Sequence, residues 1–254
     1  MNYDYTPSFY NDEEFFNEYL GRTSYYLKLQ DITKKLISIC HPQEVLELGS
    51  ALGTTISMLA QSFPTIQFTG IDIRGAIIQD AKNKYQNVNN LRFECADMCQ
   101  FMGEQITKYD FIFLLYAFHH ITDPLLTKEN FLKKCYDNMK PGSYLFITET
   151  FLPSEDDEWP TVETLFKARA LEGYASTYWE SLRSLEDNDI KLASKIASTS
   201  LKEETTAGQL VKNRDSEYLV EFNWLIELCK KIGFHIVIAE PVNCINEKAI
   251  LLLR

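Results

Sequence analysis

The sequence predicts an α/β fold, doubly wound around a mostly parallel sheet, and three observations carry that prediction. Apolar, β-rich runs alternate with helical patterns between residues 44 and 150. One of those runs, FIFLLY (Phe111–Tyr116), is apolar on both faces, as a central parallel strand must be. A glycine-bearing stretch, VLELGSALGTT, stands where the first strand should turn into a helix.

Taken in order, a long helical pattern ends near Cys40-His41-Pro42 and leads into the first strand, Val45–Leu48. The second strand is QFTGIDI (Gln67–Ile73), the third LRFECAD (Leu91–Asp97), the fourth Phe111–Tyr116 and the fifth YLFITET (Tyr144–Thr150). Lys140-Pro141-Gly142 reads as the turn that introduces the fifth. Helices are expected over Thr54–Ser62, Ala76–Tyr85 and Lys128–Met139. After Thr150 the alternation stops. A Pro-bearing acidic stretch, LPSEDDEWP, opens a polar-aromatic and mostly helical insertion. The pattern resumes with a helix at Glu217–Ile232, a turn at Gly233 and two closing strands, HIVIAEP and KAILLLR. The expected organisation is one domain over 1–254. Within it lie an N-terminal helical lid (1–40), a core (41–150), a helical cap insertion over the carboxyl edge of the sheet (151–216) and a closing unit (217–254).

Composition narrows the function. The chain has 254 residues, 45% of them hydrophobic, which is ample for a buried core. A net charge of −11, with no Lys/Arg cluster, argues against a nucleic-acid partner, because neutralising phosphates needs a basic face. The six cysteines are scattered without a CxxC pair, so reduced thiols and no metal are expected. The acidic, aromatic start MNYDYTPSFYNDEEFF is unlike a secretory leader, and no apolar run approaches the roughly 20 residues that span a bilayer. A cytoplasmic protein without membrane contact is the expectation, and a homodimer is compatible with it.

Acids follow the glycine turn at regular positions. Glu47 precedes it, Asp72 ends the second strand and Asp97 ends the third. Each alone reads equally well as a solvated or capping carboxylate, but together they form a row along the ligand crevice of an open α/β sheet. A carboxylate at Asp72 can accept both hydroxyls of a ribose, and one at Asp97 can accept from an adenine amino group. Peptide N–H groups of the turn can face an anionic or polar ligand part.

The order ELGSALG, IDI, CADM, YDFIFLLYAFHHI and MKPGSYLFITE, over about residues 44–150, resembles the motif series of the class I (Rossmann-like) S-adenosylmethionine-dependent methyltransferases of the small-molecule type. That resemblance implies S-adenosyl-L-methionine as cofactor and S-adenosyl-L-homocysteine as product. It also implies Glu47, Gly49, Ser50 and Gly53 around the amino-acid end, Asp72 at the ribose, and Ile73, Asp97 and Met98 around adenine. Two positions depart from the pattern. Ala51 replaces the central glycine and preserves the turn provided its φ stays negative, and Ser143 replaces a glycine in MKPGS. Nicotinamide binding is the nearest competitor, but ELGSALG does not supply G-x-G-x-x-G.

Methyl transfer needs alignment, exclusion of water and, for some acceptors, a base. The end of the fourth strand offers Tyr116 beside the cofactor, Phe118 for the acceptor pocket, and His119 and His120 as alternative general bases. Tyr19 and Arg22 in the lid, and Trp159, Arg169, Tyr174 and Tyr178 in the cap, complete the expected substrate pocket. After the fourth strand YAFHH stands in place of the (D/N)PP(Y/F) run of amino-methylating nucleic-acid enzymes, so the acceptor is expected to be a small molecule methylated on O, N or C. The alternative is a non-methylating enzyme on the same fold, a cyclase or a modified-cofactor synthase.

Overall fold

The computed structural model describes residues 24–104, 109–121, 126–151, 220–242 and 247–254. In chain order they form α1 (Ser24–Cys40), β1 (Glu44–Leu48), α2 (Thr54–Ser62), β2 (Gln67–Asp72), α3 (Gly75–Lys84), β3 (Leu91–Cys95), α4 (Met98–Glu104), β4 (Tyr109–Leu115), a 3-10 turn (Phe118–His120), α5 (Leu126–Asn138), β5 (Met139–Thr150), α6 (Phe222–Ile232), β6 (His235–Pro241) and β7 (Glu247–Leu253). The seven strands make one sheet in the order β3-β2-β1-β4-β5-β7-β6. β1 pairs in parallel with β2 and β4, β2 with β3, and β4 with β5, while β7 runs antiparallel between β5 and β6.

Side-chain alternation along the strands builds two cores, one on each face. Leu46 and Leu48 of β1 and Ile112 and Leu114 of β4 face one side, where they meet Met102, Phe131, Leu132, Leu225 and Cys229 of α4, α5 and α6. Val45 of β1 and Phe111 and Phe113 of β4 face the other, against Leu29 and Ile37 of α1, Ile56 and Leu59 of α2, and Ile78 of α3. β4 is buried on both sides because helices cover both, which is why its sequence is a continuous apolar run. α6 ends where the chain turns left-handed at Gly233 (φ 118°), whose N–H returns to the carbonyls of Cys229 and Lys230.

Sequence and structure part in a few places. The third strand ends at Cys95 rather than Asp97, because Asp97 caps α4: its Oδ1 accepts from the N–H groups of Cys99 (2.8 Å) and Gln100 (2.9 Å). Lys140-Pro141-Gly142 lies inside β5 as a bulge, the pairing jumping from Tyr109↔Met139 to Phe111↔Tyr144. Gly142, at φ 83°, donates there to the carbonyl of Arg254. Ser24–Cys40 packs as a layer helix on the α2 side of the sheet; the rest of the expected lid, residues 1–23, lies outside the described residues, as does the expected cap over 152–216. Among the described residues no helix is long and apolar enough to cross a membrane.

Candidate active site

Strand order reverses between β1 and β4, the switch point at which open α/β sheets take ligands in a crevice beyond the strands' carboxyl ends. The glycine turn directly follows β1 at that end. Gly49 and Ser50 both donate to the carbonyl of Ile71 (2.9 and 2.8 Å), which folds the chain over the end of β2. Three alternate residues of the turn are left-handed: Gly49 at φ 77°, Ala51 at 47° and Gly53 at 72°. The turn is thus formed with Ala51 at positive φ, so the condition of a negative φ there is not met. Its N–H is held by Asp72 Oδ2 at 3.0 Å, and Gly53 closes on the Ser50 carbonyl at 2.8 Å, which together fix the strained geometry. At Gly49 a methyl would meet the Cβ of Ala117 at 2.6 Å, so the turn touches the chain just beyond β4 and any side chain there would force them apart.

Glu47 is buried beside this turn. One carboxylate oxygen accepts from the Ile56 N–H, while among the described residues Oε2 has no partner, and neither has the buried Ser50 Oγ. Burial pushes the Glu47 carboxyl well above its ordinary range; the Ile56 hydrogen bond opposes that shift and the Asp72 charge adds to it. An unsatisfied buried carboxylate oxygen is costly, and it suits a cationic donor brought by a ligand.

Asp72 is buried too, with its carboxylate spread over both turns. In addition to Ala51, it accepts from the backbone N–H (3.0 Å) and Nε (3.2 Å) of Arg74. Ile73 beside it is 57% exposed, an apolar surface at the crevice end of β2. Asp97 uses Oδ1 as the α4 cap, and Met98 packs half-buried against the first core. Tyr116 also lies left-handed (φ 52°), with its N–H on the carbonyl of Thr148 (3.0 Å).

The two histidines differ sharply. His119 is buried and both its N–H and its Nδ1 meet Glu149 Oε2, at 3.0 and 2.9 Å. His120 is exposed, its ring centroid 4.0 Å from that of His119. Phe118, expected in the acceptor pocket, instead lies fully buried in the first core, its ring 6.2 Å from Phe131 and 5.0 Å from the Lys128 Nζ. Its apolar ring gains more from that core than from the crevice. Tyr19, Arg22, Trp159, Arg169, Tyr174 and Tyr178 lie outside the described residues. Glu149 was not singled out from the sequence. Its signal was available, since ITET puts an acid one residue before the end of the fifth strand, much as β2 ends in Asp72.

Residues 45–142 match the model of the methyltransferase domain family. Among curated proteins, the chain is 25% identical to a carboxy-S-adenosyl-L-methionine synthase of Helicobacter pylori over 56% of each chain. It is 27% identical to caffeic acid 3-O-methyltransferase 1 of Ocimum basilicum, over 44% of this chain and 28% of that one. The chain therefore spans about half the length, or less, of these curated relatives. Among solved structures, the N-methyltransferase NodS of Bradyrhizobium japonicum with bound S-adenosyl-L-homocysteine superposes with a TM-score of 0.58 at 12% identity, over 98% of this chain and 99% of that one. The magnesium protoporphyrin IX methyltransferase of Synechocystis gives 0.57 at 14% identity, over 91% and 84%. Motif order, sheet topology and the domain match over residues 45–142 agree on the class I, Rossmann-like methyltransferase fold.

Proposed function

We propose that the protein transfers a methyl group from S-adenosyl-L-methionine to O, N or C of a small-molecule acceptor, with His119 as general base. The observation that carries this reading is the His119–Glu149 pair beside the glycine turn. Gly49 abuts Ala117, two residues before His119, so the base and the turn share one end of the crevice.

The residues fit the cofactor. Glu47 Oε2 is a buried acceptor without a donor, matched to the ammonium of the amino-acid end. Asp72 would hold the ribose hydroxyls, and the exposed Ile73, with Met98 and the second oxygen of Asp97, would take the adenine. Bound there, the cofactor supplies an electrophilic methyl on a sulfonium and leaves as S-adenosyl-L-homocysteine. Glu149 holds the His119 ring by Nδ1–H, which leaves the lone pair on Nε2. Nε2 takes the proton of the acceptor as its heteroatom attacks, and the Glu149 charge stabilises the imidazolium that results. That arrangement suits an acceptor that must lose a proton, such as a hydroxyl, or an ammonium deprotonated before its nitrogen attacks. The net charge of −11 supports an acceptor that is not a polyanion.

A second reading is favoured by the resemblance to the carboxy-S-adenosyl-L-methionine synthase: an enzyme that modifies the cofactor rather than spending its methyl group. Incubation with methyl-labelled S-adenosyl-L-methionine and a panel of small hydroxy and amino compounds separates the two. The methyltransferase reading expects S-adenosyl-L-homocysteine to accumulate one for one with a labelled small molecule. Label retained on a heavier sulfonium, in a parallel incubation that adds a carboxyl donor, supports the second reading, and no conversion of the cofactor in either incubation overturns both.

A further inference from the structure

Lys248 stands directly opposite Glu149 where β7 runs antiparallel to β5. Opposed residues of an antiparallel pair project to the same face, so Lys248 lies on the face where Glu149 holds His119. It is half-buried, and its Nζ sits 4.7 Å from the centre of the Phe222 ring, which Phe151 braces edge-on at 4.9 Å. A ring face steadies an ammonium but does not neutralise it, and it leaves N–H donors for a further acceptor. Among the described residues no carboxylate comes within ion-pair distance of this Nζ. Strand order separates the cation from the amino-acid end of the cofactor. Along β1-β4-β5-β7, Lys248 is three strands from Glu47, at least roughly 14 Å at the usual spacing, and one strand from Glu149.

We infer that Lys248 is a specificity-determining residue that receives a carboxylate of the small-molecule acceptor while the reacting atom lies at His119. The inference rests on the reading of His119 as the base. Lys248 and His119 flank Glu149 at the carboxyl end of β5, so one small molecule spans them. A single ammonium matches a single negative charge. The carboxylates of Asp72 and Glu149 along the same sheet edge disfavour a dianion such as phosphate, which leaves a monocarboxylate as the matching group. Lys248 binds and orients; it exchanges no proton in the transfer.

Calorimetric titration of the full chain, first saturated with S-adenosyl-L-homocysteine, with benzoate and with benzamide tests the assignment. The two probes share a shape and differ in charge. The wild type is expected to bind benzoate about tenfold more tightly than benzamide. Lys248→Met keeps the aliphatic stem against Phe222 and is expected to bring that ratio close to one, with S-adenosyl-L-homocysteine affinity unchanged. Lys248→Arg keeps the charge and is expected to keep the preference. No binding of benzoate, no preference in the wild type, or a preference that persists in Lys248→Met overturns the inference. A loss of S-adenosyl-L-homocysteine affinity in Lys248→Met, with Lys248→Arg unaffected, puts the cation at the cofactor and overturns it too. Failure of the reading beneath it looks different: a wild type that shows the benzoate preference yet methylates no hydroxy or amino acid overturns the methyltransferase reading and leaves the carboxylate seat standing.

Discussion

One carboxylate oxygen, Glu149 Oε2, receives both the backbone N–H and the Nδ1 of His119, at 3.0 and 2.9 Å. The two contacts fix the ring's tautomer and its orientation relative to the chain that carries it. They also join β5 to the turn after β4 at the open end of the sheet, so the base is held by the scaffold rather than by a loop. His119→Ala is expected to lower turnover about 100- to 1000-fold, the usual contribution of a positioned base. Glu149→Gln keeps an acceptor for the ring but loses the charge, and should cost about tenfold with cofactor affinity intact. The exposed His120 should tolerate alanine with little change. Equal losses at His119 and His120 contradict the assignment.

Ala51 is held at φ 47°, where a side chain costs about 1–2 kcal/mol. Glycine removes that strain but adds flexibility to the unfolded chain, which returns about 0.5–1 kcal/mol. The net expectation for Ala51→Gly is a gain of about 0.5–1 kcal/mol, seen as a rise in Tm of a few degrees with binding unchanged. A lower Tm shows that the turn is not strained in solution.

Gly49 has no such freedom to change. Its φ of 77° and the 2.6 Å approach to Ala117 Cβ both oppose a side chain. Gly49→Ala should destabilise by about 2–4 kcal/mol and weaken cofactor binding at least tenfold. Adding Ala117→Gly removes the methyl overlap but not the φ strain, so it should recover part of the lost stability. No recovery in the double variant contradicts the contact.

Glu47 couples binding to pH. Burial raises its folded-state pKa well above the ordinary 4.5, so the carboxyl keeps its proton to a higher pH than in the unfolded chain. Its contribution to folding is therefore complete below the unfolded value and is lost as pH rises through the raised one. Ligand binding has the opposite sign. An ammonium seated against Oε2 favours the ionised form, so binding releases a proton, and affinity rises with pH between the bound-state and free-state values. Titration in buffers of different ionisation enthalpy measures that proton, and Glu47→Gln should abolish the release. A release that persists in the variant assigns it elsewhere.

Much of the fold was legible because its signals are local. The run FIFLLY announces a strand covered on both faces, and the helix at Thr54–Ser62 follows from the glycine just before it. The site was legible only in part. Glu47 and Asp72 are marked by their places at strand ends and Asp97 by its place just beyond one, but the partner of His119 lies 30 residues away and is brought to it by the pairing of β4 with β5. The left-handed Ala51 depends on the hydrogen bond its N–H donates to Asp72, 21 residues distant, so nothing in the local sequence reveals it. Phe118 misled for the same reason. Its place at the end of the fourth strand suggested the crevice, whereas the 3-10 turn of Phe118–His120 sends the ring into the core.

Calorimetric titration of the purified protein with S-adenosyl-L-methionine tests the central claim most directly, because every role assigned to the crevice depends on that molecule entering it. The account expects one-to-one binding in the micromolar range, weakened strongly by Glu47→Ala. No heat of binding up to millimolar ligand, or full affinity without the Glu47 carboxylate, contradicts it.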